Sequence, residues 1–424
     1  MAARSGDTIV ALSSGRPPAA IAIMRCSGPA AFAAAVALAG PLPRPRHASL
    51  RTLRDPRDRE QIDQALVLSF PGPDTATGED IVEYQCHGGR AVVDALLAAL
   101  LQFPGIRIAD PGEFTRRALV NGCLDLTQAE GLADLLEAET EAQRQSALNR
   151  SSGALRTRIE AWRTALLALS AAAEVAIDYA DEEDGAGIFD PAHAIAALVA
   201  EIDALLAAPR VEKLRDGVRV VVAGPPNAGK SSLVNALAGQ QRAIVTPVAG
   251  TTRDRIEVPL AIGGVAMLLV DTAGLRDSDD AVEAIGIGLA RSEVAEADIL
   301  LWLGAPADLP LHANALQIAP KSDVQPGEGL AVSATTGRGI DHLKHELIAR
   351  SQSIIPVGTQ LALTEREAGL FKVVSEAVFR AATLEPLLAA EELRTARSAL
   401  DEISGRAGVD DLLDALFSRF CLGK

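Results

Sequence analysis

The sequence predicts a multidomain α+β and α/β protein in which a P-loop nucleotide-binding block is inserted into a helical domain. Three observations carry this. Strand-like and helix-like stretches mix in residues 1–120, which read as an α+β domain. Ala/Leu-rich helical periodicity fills 121–215 and returns at 351–424. Between them, 216–350 switches to apolar strand runs and glycine turns. Helical sequence on both sides of an α/β block implies a discontinuous all-α domain carrying a Ras-like α/β insert.

In the first domain, Asp7–Leu12, Ala20–Arg25, Ala65–Phe70 and Ile81–Cys86 read as strands. Ala91–Gln102 reads as a helix stopped by Pro104-Gly105. Thr127-Gln-Ala-Glu130 and Thr364-Glu-Arg-Glu367 have capping-box spacing, which predicts helix starts there. Asp181-Glu-Glu-Asp184 reads as a solvated inter-helix loop in preference to an acidic site. Glu391–Ile403, ending at Gly405, and Asp410–Phe420 complete the helices.

Composition sets limits. The 424 residues are 48% hydrophobic but only 3% aromatic, a mix that favours helices over β-sandwiches. A net charge of -16 argues against a surface that grips nucleic acid everywhere, though not against a local basic patch. Cys26, Cys86, Cys123 and Cys421 form no Cys-x-x-Cys pair, so a reduced, cytoplasmic setting is expected. No signal-peptide pattern and no bilayer-length apolar run is evident, so no membrane association is expected.

The chemistry lies in the insert. Arg219–Ala223 is a buried-strand run, followed by Gly224-Pro-Pro-Asn227-Ala228-Gly229-Lys230-Ser231-Ser232 and a helix ending near Gly239. Strand, Gly-rich loop and helix are the context a P-loop requires. Backbone N–H groups face phosphate oxygens, Lys230 adds charge at the β/γ phosphates, and Ser231 offers an oxygen to Mg2+. Gly250-Thr251-Thr252-Arg-Asp254 reads as switch I, with Thr252 as second Mg2+ ligand. Val265–Val270 runs into Asp271-Thr272-Ala273-Gly274, where Asp271 holds Mg2+ through water and Gly274 meets the γ-phosphate.

Guanine recognition normally rests on Asn-Lys-x-Asp followed by Ser-Ala; here Pro320-Lys321-Ser322-Asp323 and Ser333-Ala334 occupy those places. Asp323 accepts from guanine N1–H and the 2-amino group, a donor pair that adenine lacks. Lys321 lies over the base plane. Pro320 has no side-chain amide, at a cost of about 1 kcal/mol. Leu275 follows Asp-x-x-Gly where many GTPases have a water-orienting Gln, so either hydrolysis is slow or another residue orients the water.

With these motifs in order, the sequence resembles the MnmE (TrmE) family of tRNA modification GTPases along nearly its whole length. The resemblance rests on Asp7–Ala11, Pro111–Thr115, Leu124–Glu130, Pro226–Ser232, Ala243–Thr246, Ala249–Asp254, Asp271–Arg276 and the terminal Phe420-Cys-Leu-Gly-Lys424. It implies an N-terminal tetrahydrofolate-binding and dimerisation domain, a discontinuous helical domain and an inserted G domain. It further implies a homodimer that joins an FAD-containing MnmG-like partner in a heterotetramer. Together they add an aminomethyl or carboxymethylaminomethyl group to C5 of the tRNA wobble uridine. The one-carbon unit comes from 5-formyl- or 5,10-methylene-tetrahydrofolate.

By the same resemblance, GTP hydrolysis depends on K+ held by Asn227, Thr246, Val248 and Thr251, and Glu283 orients the water. Arg25, Glu83 and Lys424 would line the folate pocket, and Cys421 matches the family's functional cysteine. Cys123 stands where many members place a folate-contacting Lys. Ser13–Pro18 replaces a glycine-rich turn, and Asp298–Asp323 leaves little room for a helix on the guanine side. A GTP-dependent switch or ribosome-assembly GTPase without modification chemistry is the alternative. Alone, the chain is expected to bind tRNA weakly and salt-sensitively.

Overall fold

The computed structural model describes residues 6–178, 191–239, 256–271, 292–355 and 361–407, together with 413, 415–417, 420 and 423. The segments 181–184, 272–274 and most of 410–420, to which sequence patterns gave roles, lie outside them. By contacts the chain divides into two units, Met1–Ala133 with Asp401–Lys424, and Asp134–Leu400.

The first unit is built on a six-stranded sheet. Its strands are β1 (Thr8–Leu12), β2 (Ala19–Ser27), β3 (Ser49–Arg54), β4 (Gln61–Phe70), β5 (Ile81–Gly88) and β6 (Ile106–Ile108), in the order β3-β4-β5-β2-β1-β6. Only β1 and β6 pair in parallel. Two helices, α1 (Ala31–Ala39) and α2 (Arg90–Leu100), cover one face; Met24, Cys26, Leu53, Val67, Val82 and Tyr84 are buried beneath them. On the other face Phe114, from α3 (Glu113–Val120), packs on Ile9 and Ala11. The side-chain period of two along a strand forces this division.

Around α3 the sequence concentrates charge in a buried place. Arg117 bonds Asp7, Glu79 and Glu113, and Arg107 bonds Asp7 and Glu113. Burial alone raises the pKa of Asp7 and Glu113, but hydrogen bonds from the two arginines outweigh it and hold both carboxyls below their ordinary range.

α4 (Leu126–Glu137) starts two residues earlier than the capping-box reading of Thr127 and Glu130. Asp125 is the cap: its Oδ1 accepts from Gln128 N–H at 2.9 Å and from the Thr127 hydroxyl at 2.8 Å, and Gln128 Oε1 answers to Asp125 N–H. Two boxes in overlapping register compete here, and the carboxylate is the stronger acceptor. Leu413, Leu416, Phe417 and Phe420 return from the C-terminus to pack on Leu126, Ala129 and Ala133.

The second unit opens with α5 (Glu141–Ser151), α6 (Ala154–Asp178), α7 (Ala192–Leu206) and the short α8 (Glu212–Arg215). The nucleotide-binding sheet then forms from β7 (Val218–Ala223), β8 (Ile256–Ile262), β9 (Val265–Asp271), β10 (Ile299–Trp302), β11 (Ala315–Ala319) and β12 (Leu330–Ala331). Its order is β12-β11-β10-β7-β9-β8, all parallel except the β8–β9 hairpin. α9 (Lys230–Ala238) and α10 (Ile340–Ser351) bury Leu233, Val234, Leu237, Leu343 and Leu347 against one face. Between β10 and β11 there is only a single 3-10 turn, Pro306–Asp308, where a parallel crossover usually carries an α-helix. The shortness of 298–323 thus removes an element on the guanine side.

Two further helices follow, α11 (Glu365–Ala381) and α12 (Pro386–Ser404). The capping box predicted at Thr364 and Glu367 is present. Glu367 does more than cap: fully buried, it pairs with the equally buried Arg150 of α5 at 2.9 Å, and Arg150 also donates to the Ala362 carbonyl. Burial would raise the Glu367 carboxyl, but the Arg150 charge holds it low.

Two predictions follow from these charges. Arg150→Met strands a buried carboxylate and is expected to cost about 3–5 kcal/mol. Arg150→Met with Glu367→Leu should recover most of it in urea denaturation, because no unpaired charge remains. The depressed carboxyls Asp7 and Glu113 contribute stability that is complete above the ordinary carboxylate range. It is lost as pH falls below about 4, so the urea midpoint should drop steeply there. The Asp7→Asn variant should show a shallower fall.

Candidate nucleotide site

β7 is the middle of the site. Val218, Val220 and Val222 face one core, Val221 and Ala223 the other, so the strand is buried on both sides. Pairing sets Val222 beside Asp271 at the end of β9 and Ala223 beside Trp302 at the end of β10. The loop leaving β7 therefore emerges at the carboxyl edge, between two strands, where open α/β sheets bind ligands.

That loop is held in left-handed conformations at Gly224 (φ +150°), Asn227 (φ +61°) and Gly229 (φ +98°). At Gly224 a Cβ would press on the Leu303 backbone at 3.1 Å, so only glycine lets the loop pass. Asn227 is a residue type that tolerates this region. Such turns gather N–H groups on one side of the loop, at the N-terminus of α9, as anion binding needs. Lys230, nearly buried, stretches its Nζ across the loop to the carbonyls of Gly224 and Pro225, each at 3.0 Å. Ala228 donates its N–H to Pro225, and Ser231 and Ser232 stand exposed in the first turn of α9. Asp271 is buried beside β7.

Lys321, of the expected guanine motif, reaches the same loop. Lys321 Nζ donates to the Asn227 carbonyl at 2.9 Å, and its carbon chain lies against Gly229. Lys321 itself has φ +55°. Val332 N–H bonds the Ala319 carbonyl at 2.9 Å and Ser322 N–H bonds the Val332 carbonyl at 3.2 Å. These bonds bracket Pro320, so the motif is pinned without a donor at position 320. Ser333 is fully buried; a side-chain hydrogen bond with Asp323 holds that carboxyl below its usual range. Its own oxygen accepts from Thr336 N–H, and Ala334 lies in the same turn. The ionised Asp323 is thus aimed by a buried group.

Thr246, Val248, Thr251, Thr252, Thr272, Ala273, Gly274 and Glu283 lie outside the described residues, as do Cys421 and Lys424. In the first unit Arg25 and Glu83 are cross-strand neighbours on β2 and β5 and pair at 2.8 Å, half-buried. The Arg25 guanidinium lies 5.7 Å from the centre of the Phe114 ring. Cys123 is exposed, with its Sγ near Gly78. Gly423 is docked on the end of β1, where the Ser13 hydroxyl donates to its carbonyl at 2.8 Å. Sequence patterns do not reveal Phe114 as the platform for Arg25, because an aromatic in a first helical turn reads as core. Nor do they reveal the Lys321–Asn227 bond, which joins motifs far apart in the chain.

The MnmE helical domain model matches residues 126–421, and the GTP-binding protein TrmE N-terminus model matches 8–123. The tRNA modification GTPase MnmE of Rhizorhabdus wittichii is 51% identical, over 100% of this chain and 98% of its own length. That of Novosphingobium aromaticivorans is 49% identical, over 99% and 100%. The chain belongs to the MnmE family. Among solved structures, Era of Aquifex aeolicus is 24% identical over 40% of this chain and 69% of its own, with a TM-score of 0.25, too slight a likeness to bear on the assignment.

In this MnmE-family chain, Asp323 is the described residue that offers the carboxylate acceptor guanine selection would need. Asp323→Asn replaces an acceptor by a donor and is expected to weaken GDP at least about tenfold and to favour xanthosine diphosphate, whose C2 bears an oxygen. Competition with a fluorescent nucleotide measures this; unchanged GDP affinity would contradict the assignment.

Proposed function

We propose that the chain is a K+-dependent GTPase that acts with an FAD-containing MnmG-like partner. Together they install a (carboxymethyl)aminomethyl group at C5 of the tRNA wobble uridine, with tetrahydrofolate supplying the one-carbon unit. The reading assigns 1–120 to folate binding and dimerisation, 121–215 with 351–424 to the helical domain and 216–350 to the G domain. The observation that carries it is the meeting of Lys230, Asn227 and Lys321 at one loop, with Asp323 two residues beyond Lys321, in a chain whose family is that of tRNA modification GTPases.

The residues fit the groups this reading requires. Ser231, exposed in the first turn of α9, and Thr252 would hold Mg2+, a hard cation suited to hydroxyl oxygens. It neutralises charge on the β and γ phosphates when bound. Asn227, with Thr246, Val248 and Thr251, would hold K+, and Glu283 would orient the water that Leu275 cannot. Thr272, Ala273 and Gly274 would meet the γ-phosphate. Lys230 carries a positive charge to the phosphates, and the left-handed turns at Asn227 and Gly229 present N–H groups to them.

For the folate, Arg25 would meet a glutamate carboxylate and Glu83 would accept from pterin N–H groups, with Lys424 completing the pocket. The docking of Gly423 on β1 supports a C-terminus that returns to this domain, where Cys421 would also act. Cys123 supplies no charge, which predicts weaker folate binding than a Lys would give. A homodimer through this domain belongs to the same reading. Among the described residues no helix is long and apolar enough to cross a membrane. The proposed tRNA substrate fits a cytoplasmic setting.

GTP turnover in K+ against Na+ tests the reading. K+ should stimulate GTP hydrolysis at least about tenfold, as a substitute for an arginine finger's charge, with ATP failing to compete. Asn227→Gly, which keeps the left-handed backbone and removes the side chain, should abolish the stimulation. Turnover indifferent to K+ would favour the bare GTP-dependent switch.

A further inference from the structure

The most acidic feature of this chain is its total, -16, and the most basic is a short run of it. Residues 44–59 contain six arginines, no lysine and two aspartates, a local charge of +4. They comprise the lead-in to β3, β3 itself and the turn into β4. β3 is the end strand of the first unit's sheet, so among the described residues one of its sides has no strand neighbour. The arginines therefore run along an edge.

Most of this charge is not consumed internally. Arg46 pairs with Asp74, and Arg57 with Asp55. Among the described residues Arg44, Arg51, Arg54 and Arg59 meet no carboxylate. Arg54 donates to the Arg59 carbonyl and Arg59 to the Ala37 carbonyl, contacts that position guanidinium groups without neutralising them. Arg51 makes only a long contact to the neighbouring Leu50 carbonyl, and its Nε is buried with no partner. A strand rises about 3.3 Å per residue, so Arg51 and Arg54 are about 10 Å apart along the edge, on opposite faces.

Charged edge strands also guard sheets against edge-to-edge pairing, but lysine serves that purpose and none occurs here. Arginine alone presents a planar fork that grips a phosphate through two N–H bonds. We propose that the β3 edge, from Arg44 to Arg59, is an RNA-backbone-binding surface, which reads phosphates and not base sequence. It localises on this chain the tRNA contact of the proposed function and rests on that reading only for the identity of the RNA. It also explains how so acidic a protein holds a polyanion: one basic ridge on an otherwise repelling body.

The test is binding of a fluorescently labelled, unmodified tRNA transcript by the full chain between 50 and 200 mM salt. The variants are R44A/R51A/R54A and, with charge retained, R44K/R51K/R54K. The alanine variant should weaken binding roughly tenfold or more at 100 mM salt and lower the slope of log K against log salt by about 2 to 3. The lysine variant should keep the slope. Thermal midpoints and column mass accompany each measurement. Wild-type binding matched by the alanine variant overturns the surface and leaves the GTPase reading standing. So does a wild type that hydrolyses GTP yet binds no tRNA. Equal losses in the alanine and lysine variants, or a change of oligomeric mass in place of RNA affinity, also overturn it.

Discussion

The nucleotide site hangs on the pairing of β7 with both β9 and β10. A strand hydrogen-bonded on two sides and buried on two faces cannot shift register without exposing Val220 and Val222 or Val221 and Ala223. Its end is therefore a fixed point. From it Gly224 passes the Leu303 backbone, the loop turns through Asn227, and α9 begins at Lys230. Asp271 arrives on the adjacent strand with its position already set. The ordering of chain that phosphate binding needs is carried by the sheet, so little of it remains to be done by the ligand.

Against that fixed point the guanine side is built with fewer parts than a helix-covered crossover provides. The β10–β11 connection has one 3-10 turn, and position 320 has no amide. What remains is compact. Lys321 reaches the P-loop main chain, backbone bonds clamp both sides of Pro320, and buried Ser333 holds Asp323 ionised. The loss of one side-chain amide is compatible with this geometry because the clamp runs through the main chain. In the first unit an ionic network around Arg107 and Arg117 joins β1, β6 and α3, which in turn brings Phe114 under Arg25.

Legibility in the sequence followed from how local each signal was. β7, β9 and β5 were readable because a buried strand is a continuous or alternating apolar run. The helix start at Thr364 was readable because a capping box spans four residues. β3 was not: Ser-Leu-Arg-Thr-Leu-Arg on an edge strand lacks the apolar pattern of a covered one. α1, nearly all alanine, has no polar face to give a period. At Asp125 two overlapping caps competed, and the decision lay in side-chain chemistry that spacing does not carry. Of the candidate site, the P-loop could be read from residue types, while the guanine role expected of Lys321 and Asp323 rests on motif order. The roles expected of Arg25, Glu83 and Asn227 rest on the family resemblance. Arg150 with Glu367, and Lys321 with Asn227, join residues too distant in sequence for any pattern to link.

The central claim is that this G domain serves wobble-uridine chemistry and is not a free-standing switch. The most direct test is nucleoside analysis of tRNA from a bacterial strain lacking its own MnmE, complemented with this chain. The account predicts that C5-modified wobble uridine returns. Expression of a folded, GTP-hydrolysing protein with the uridine still bare would contradict it.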